Sequence, residues 1–294
     1  MKHLFAEPRK PSRVVVLGAG GFIAGAIVRR LRDAAIPVEG LGRPGLDLTK
    51  SSAGETLART LRPEDALVFT SAKAPCKNLE MLRENLAMAE SVCAALRNQP
   101  VAHVVYISSD AVYKDSSLPI TEESPAEPAS YHGVMHLARE VALRSEFSGP
   151  LVLVRPTLVY GLDDPHNGYG PNRFRRLAAA GREIVLFGEG EERRDHVDVE
   201  DVAELVFRIL MHRSAGVANA VSGEVVSFRE LAEFAASQFS PQAQVRGSPR
   251  AGPMPHNGYR PFDNRTVLAA FPGFRFRSWR EGLGRVHSLQ RAPA

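Results

Sequence analysis

Gly18, Gly20 and Gly21 directly follow the apolar run Arg13–Leu17 and precede a stretch, Phe22–Ala35, patterned as a helix. A strand that turns into a helix this abruptly uses glycine for positive φ and for close approach of a pyrophosphate to the backbone. The helix N-terminus then offers unpaired N–H groups and a partial positive charge, a setting that favours phosphate. The stretch reads Gly18-Ala19-Gly20-Gly21-Phe22-Ile23-Ala24-Gly25, a Gly-x-x-Gly-x-x-Ala spacing rather than Gly-x-Gly-x-x-Gly. A second group capable of chemistry is the pair His132 and His136, four residues apart and therefore on one face of a helix. Three readings stand for it. His132 is an acid–base group, since imidazole titrates near neutral pH. Alternatively the pair is a packing and ribose-binding remnant, or it ligates a metal. No third ligand accompanies the two histidines in a matching pattern, so no metal is expected.

Which dinucleotide the glycine turn would hold is a question of charge. An acid at the end of the second strand binds a ribose 2′-hydroxyl. That place reads Leu41-Gly42-Arg43, with no carboxylate. Arg43 is either a bidentate partner for a 2′-phosphate or a solvated loop arginine. The missing acid tilts the expectation to NADP(H), with NAD(H) the alternative, and Asp47-Leu48 reach the adenine from the next loop.

The elements that must position these groups alternate. Short apolar runs at Arg13–Leu17, Pro37–Leu41, Ala66–Phe69, His103–Ile107 and Leu151–Val154 read as buried strands. Helical patterns intervene at Phe22–Ala35, Leu79–Leu96 and Tyr131–Phe147. The order predicts an α/β chain with a doubly wound parallel sheet of Rossmann type over residues 12–165. Residues 195–221 are expected to return to it. Residues 166–194 and 222–294, rich in Gly, Pro and Asn at their start, form a smaller mixed α/β substrate lobe. The first ten residues read as a loose tail.

Composition narrows the function further. The 294 residues carry 37 Lys+Arg against 33 Asp+Glu, a net charge of +4. That surplus, with a pI near 9.2, is too thin and too scattered for nucleic acid and suits a small anion. Two cysteines, Cys76 and Cys93, sit in no metal or redox spacing, in keeping with a reducing compartment. The charge-free run Val14–Val28 is too short to span a bilayer. Its length alone would fit a secretory core. Four glycines interrupt it where a strand must become a helix, so it reads as a nucleotide-binding start in a cytoplasmic protein with no membrane contact.

Four segments occur in order: Gly18–Gly25, Val105-Tyr106-Ile107-Ser108-Ser109-Asp110-Ala111-Val112-Tyr113, Arg155-Pro156-Thr157-Leu158-Val159-Tyr160-Gly161, and Arg194-Asp195-His196-Val197-Asp198-Val199-Glu200-Asp201-Val202-Ala203. Together they resemble the extended, sugar-nucleotide epimerase/dehydratase branch of the short-chain dehydrogenase/reductases, over about residues 13–285. The resemblance implies a bound nicotinamide cofactor and a nucleotide-sugar under the C-terminal lobe. It places Ser71-Ala72 against the cofactor ribose, Pro156 near the nicotinamide, Asn172 near the substrate nucleotide and Arg194 on its diphosphate. Arg260 is a candidate second diphosphate ligand. Asn85 fits the family's helix asparagine. A homodimer through the helices at 79–97 and 131–147 is common in the family.

Catalysis in that family uses a Ser/Thr and a Tyr-x-x-x-Lys pair. Ser109 matches the first. On the helix the chain departs, reading Pro128-Ala129-Ser130-Tyr131-His132-Gly133-Val134-Met135-His136. Aligned on Pro128, Ser130 and Gly133, His132 takes the tyrosine column and His136 the lysine column. Sliding by one recovers Tyr131 but sets Met135 against the lysine. Asp110 stands where dehydratases carry an acid, yet Ala111 replaces the adjoining glutamate, which disfavours dehydration. The expectation is a reductase or epimerase of a nucleotide-linked keto-sugar. Ser109 would polarise the oxygen, His132 would carry the proton, and His136 would replace lysine at the ribose. The alternative is a cofactor-binding protein without turnover, acting as a sensor or partner subunit.

Overall fold

The computed structural model describes residues 1–291. In chain order the first part comprises β1 (Lys2–His3), β2 (Val14–Leu17), α1 (Phe22–Asp33), β3 (Val38–Leu41), α2 (Ala53–Thr60) and β4 (Ala66–Phe69). Then come α3 (Leu79–Asn98), β5 (His103–Ile107), α4 (Tyr131–Glu146), β6 (Leu151–Pro156) and β7 (Leu158–Tyr160). The second part comprises α5 (Pro171–Ala179), β8 (Ile184–Phe187), β9 (Arg193–Asp198), α6 (Val199–Met211) and β10 (Ser214–Ala220). It continues through β11 (Val225–Ser227), α7 (Phe228–Ser237), β12 (Val245–Ser248), β13 (Tyr259–Arg260), α8 (Arg265–Ala270) and α9 (Trp279–Arg291).

The main sheet has seven strands in the order β1-β10-β6-β5-β4-β2-β3. All its pairings are parallel except β1 with β10. Strands covered by helices on both faces bury every side chain, as β2, β4 and β5 do, and the apolar runs follow from that. One hydrophobic cluster joins α1 and α6 to one face of the sheet; a second joins α2, α3 and α4 to the other. Because the strands are parallel, their carboxyl ends gather the loops 18–21, 42–49, 70–74 and 108–110 along one edge, where doubly wound sheets bind ligands.

A second sheet, β11-β9-β13 with β7 against β9, stands beyond that edge. Its cluster, with Phe174, Leu231 and Trp279, is built by α5, α7 and α9. Helix starts are fixed by side-chain caps. Asn78 accepts from the Met81 N–H, and Ser130 from the Gly133 N–H. Ser227 and Glu230 form a reciprocal capping box. Each such cap is worth roughly 1 kcal/mol. No described helix is long and apolar enough to cross a membrane.

The N-terminus departs from the loose tail read in the sequence. Lys2 and His3 extend the sheet beside Ala215 and Ser214. The His3 ring lies 2.7 Å from the Ser214 hydroxyl through Nδ1 and donates from Nε2 to the Ala270 carbonyl at 2.8 Å. A two-residue strand is too short to show periodicity, so only its distant partners reveal it.

Candidate active site

A cleft of about 980 Å³ runs from the glycine turn after β2 to the start of α5. Its walls include Gly18, Gly21, Phe22 and Ile23, then Arg43, Asp47 and Leu48, then Ser71 and Ala72, with Asn172 and His196 at the far end. Gly18 has φ +81°, and a Cβ there would meet the Ser71 Oγ at 2.9 Å and the Ser71 amide nitrogen at 3.0 Å. A Cβ on Gly20 would meet nothing within 4 Å, so space is left above the turn. No side chain caps α1, and no acid occupies its first turn. The end of the helix dipole is therefore free to meet an anion.

The loop that brings Ser71-Ala72 to the cleft is held from below. Asn85 accepts from the Lys73 N–H at 3.0 Å and donates to the Lys73 carbonyl at 3.0 Å and the Met81 carbonyl at 2.8 Å. Arg139, fully buried, donates to the carbonyls of Asn85 and Ser71, each at 2.9 Å. The sequence offered no sign of this second anchor, because Arg139 lies 68 residues from Ser71. Arg43 has no hydrogen-bonded or ion-paired partner among the described residues. Asp47 accepts from the Thr49 N–H and hydroxyl, at 3.0 and 2.8 Å, which holds its carboxyl below the usual range.

At the carboxyl end of β5, the Ser109 Oγ accepts from the Ala111 N–H at 3.1 Å and lies 3.3 Å from Asp110 Oδ1. Asp110 is buried and faces Arg260 Nε at 3.3 Å and Arg194 at 3.8 Å. Arg194 also meets Glu192 at 3.3 Å. His132 looks inward from α4, its Nδ1 accepting from the Cys76 N–H at 3.4 Å. Burial lowers its pKa, and the charge of Asp110 opposes that shift. Of the two helix registers, the one placing His132 in the tyrosine column therefore sets a titratable ring within the field of Asp110, the residue that follows Ser109.

Three expectations change. His136 is not a charged ribose ligand: it is buried and its Nδ1 lies 2.7 Å from the Tyr106 hydroxyl. Burial, then His132 and Arg139, drive its pKa well below the ordinary histidine value, so the ring is neutral. Tyr131 points away, half exposed over a shallow groove with Cys76, Lys77 and Val134. Arg260 is an internal clamp. It is 1% exposed and donates to the Asp110 carbonyl at 2.8 Å, the Tyr113 carbonyl at 3.3 Å and the Asp115 carboxylate. Pro156 closes β6 beside Ala220 and, like Ser109, His132 and Arg194, is not among the residues that line the cleft.

Beneath these groups lies a buried polar network that motif reading missed. Arg155 donates to Glu140 twice, at 2.9 and 2.5 Å, and the Ser108 hydroxyl donates to the same carboxylate at 2.6 Å. The Arg155 guanidinium also covers the Tyr113 ring at 4.6 Å. Tyr113 donates to Asn219 at 2.7 Å, which occupies its hydroxyl, and burial pushes its pKa up to about 12. Asp195 ties the two sheets together, accepting from the Thr157 hydroxyl, the Ser222 N–H and hydroxyl, and the Gly223 N–H. Among the described residues no three His, Cys, Asp or Glu side chains cluster as metal ligands.

Fold and cleft define an α/β chain of Rossmann type with a ligand crevice at the carboxyl edge of its parallel sheet. The chain belongs to the NAD dependent epimerase/dehydratase family, whose model matches residues 14–222. It is 30% identical over 256 residues to the UDP-glucose 4-epimerase of Mycolicibacterium smegmatis, covering 74% of this chain and 80% of that protein. It is 26% identical over 250 residues to GDP-L-fucose synthase 1 of Arabidopsis thaliana, covering 76% of this chain and 77% of the other. Among solved structures, the Thermus thermophilus UDP-glucose 4-epimerase in complex with NAD superposes with a TM-score of 0.81. That match is 23% identical and covers 96% of this chain and all of the other. The Naegleria fowleri GDP-L-fucose synthetase bound to NADP also has a TM-score of 0.81, at 17% identity, with 98% and 96% covered. These two likenesses support the fold.

Proposed function

We propose that the chain is an NADP(H)-dependent reductase or epimerase acting on a nucleotide-linked keto-sugar. The observation that carries this is the continuous cleft from the uncapped start of α1 to Asn172, with Arg43, free of hydrogen-bonded or ion-paired partners among the described residues, at its dinucleotide end. Gly18, Gly21, Phe22 and Ile23 would hold the pyrophosphate, Ser71 and Ala72 the ribose, and Leu48 with Asp47 the adenine. Arg43 faces the place of a 2′-phosphate with no competing carboxylate at the end of β3. Arg194 and Asn172 are the substrate-side ligands; Arg260 acts through Asp110. The relatives named above act on UDP- and GDP-linked sugars, which supports the substrate class.

A bound nicotinamide would supply or take up a hydride. The chain's own residues manage the proton. Ser109 orients the sugar oxygen through its hydroxyl, and His132 gives or takes the proton. His136 stays neutral and orders Tyr106 rather than lowering a partner's pKa. The absence of a cation in the lysine column favours one second reading, a dinucleotide-binding protein without turnover.

The sign of the pH dependence tests the proton role. A general acid must be protonated, and burial sets the His132 pKa below its ordinary value. Carbonyl reduction is therefore fastest on the acid side and falls as pH rises through that lowered pKa. NADPH oxidation with UDP-, GDP- and dTDP-linked 4-keto-sugars, followed from about pH 5 to about pH 9, reads it. His132→Phe is expected to lower turnover by roughly 10²- to 10⁴-fold. An alkaline optimum, or full activity in His132→Phe, contradicts the assignment. Dinucleotide binding with no turnover on any of these sugars favours the second reading.

A further inference from the structure

His196 lies on β9, two residues beyond Arg194 and on the same face of the strand, because side chains alternate with a period of two. It stands across from Leu158 of β7 and forms part of the far wall of the cleft. The side chain is 1% exposed. Its Nδ1 lies 3.2 Å from the Arg194 carbonyl, a group that can only accept, so Nδ1 carries the proton. Nε2 is left as a bare lone pair, shut off from water and without a hydrogen-bond partner among the described residues. The ring packs edge-on against Phe228, with centroids 5.5 Å apart. A phenyl ring would satisfy that contact without burying an unpaired acceptor, which costs free energy wherever it is left unmade.

We propose that His196 Nε2 is a ligand-recognition group that accepts a hydrogen bond from a hydroxyl or amide N–H of the nucleotide held in the cleft. The inference rests on the reading of the cleft as a nucleotide site. Burial and the nearby Arg194 push the ring's pKa down to about 3, so it remains an acceptor at neutral pH. It therefore does not duplicate Arg194: the arginine meets an anion, and the histidine meets a neutral donor. Two residues along a strand advance roughly 6.6 Å, the scale separating a phosphate from a hydroxyl on the neighbouring sugar. That donor belongs either to the nicotinamide dinucleotide or to the nucleotide-sugar, and its contact with Nε2 requires the wall over that atom to open.

Calorimetric titration of wild type, His196→Phe and His196→Gln separates the two sources. The probes are NADPH, then UDP-glucose, GDP-mannose and dTDP-glucose, then UDP, GDP and dTDP. His196→Phe is expected to bind one class, the dinucleotide or the sugar nucleotides, about tenfold more weakly, with His196→Gln in between because its amide oxygen still accepts. Unliganded His196→Phe should melt at or above the wild-type temperature, since it removes an orphaned polar atom. Affinities unchanged within about twofold for every probe that wild type binds would overturn the inference and leave the proposed function standing. If His196→Phe melts several degrees lower and loses affinity for all probes alike, the histidine is structural and the inference fails. If wild type binds none of the probes, the nucleotide reading itself falls, and this inference with it.

Discussion

The cleft and the polar interior beside α4 are built by opposite means. At the dinucleotide end, groups are kept free: α1 has no cap, Gly20 faces open space and Arg43 has no partner among the described residues. Beside α4, outside the cleft wall, most polar groups are taken up by the protein itself. Arg260 is closed over Asp110 and Asp115, Arg155 over Glu140, and His136 against Tyr106. A vacancy among small residues reads as a binding place. A filled polar interior fixes geometry around the proposed pair His132 and Ser109.

The sharpest way to break this contrast is His136→Lys, which rebuilds the family's lysine column. A lysine there must place an ammonium beside Tyr106 and Arg139, in a site that already drives the histidine neutral. The expected result is a loss of about 3 kcal/mol or more, read by denaturant or thermal unfolding, and no gain in turnover. A variant as stable as wild type and more active would show that the interior beside α4 is an open ribose site after all. A smaller effect comes from the cleft. Gly18→Ala forces a side chain into positive φ against Ser71 and should cost about 1–3 kcal/mol in melting experiments. It should also weaken dinucleotide binding more than nucleotide-sugar binding; equal weakening of both would mean that the two ends are not separate.

The legibility of the sequence follows the same division. β2, β4 and β5 were readable because double burial turns them into unbroken β-branched runs, and the glycine turn because backbone geometry restricts the residue type. β9 was missed, since Arg193-Arg194-Asp195-His196 reads as a charged loop until its partners β7, β11 and β13 are in place. The short α2 is not legible between two clear strands, nor is α9 after Pro261 and Pro272. In the site, Arg260 reads as an exposed ligand because its carboxylates, Asp110 and Asp115, lie about 150 residues away in the chain. The inward turn of His136 depends on Tyr106, which no local pattern connects to it. Asp195 and His196 were inside a recognised segment, yet only the fold shows one tying two sheets and the other carrying a bare nitrogen.

The central claim is that the open end of the cleft holds a 2′-phosphorylated dinucleotide through Arg43. Titrating NADPH and NADH into wild type and Arg43→Ala by calorimetry tests it directly. Wild type should prefer NADPH, and Arg43→Ala should lose about tenfold in NADPH affinity, roughly 1.4 kcal/mol, while NADH binding stays the same. Equal affinity for the two cofactors in wild type, or an Arg43→Ala variant that keeps its NADPH affinity, would contradict the account.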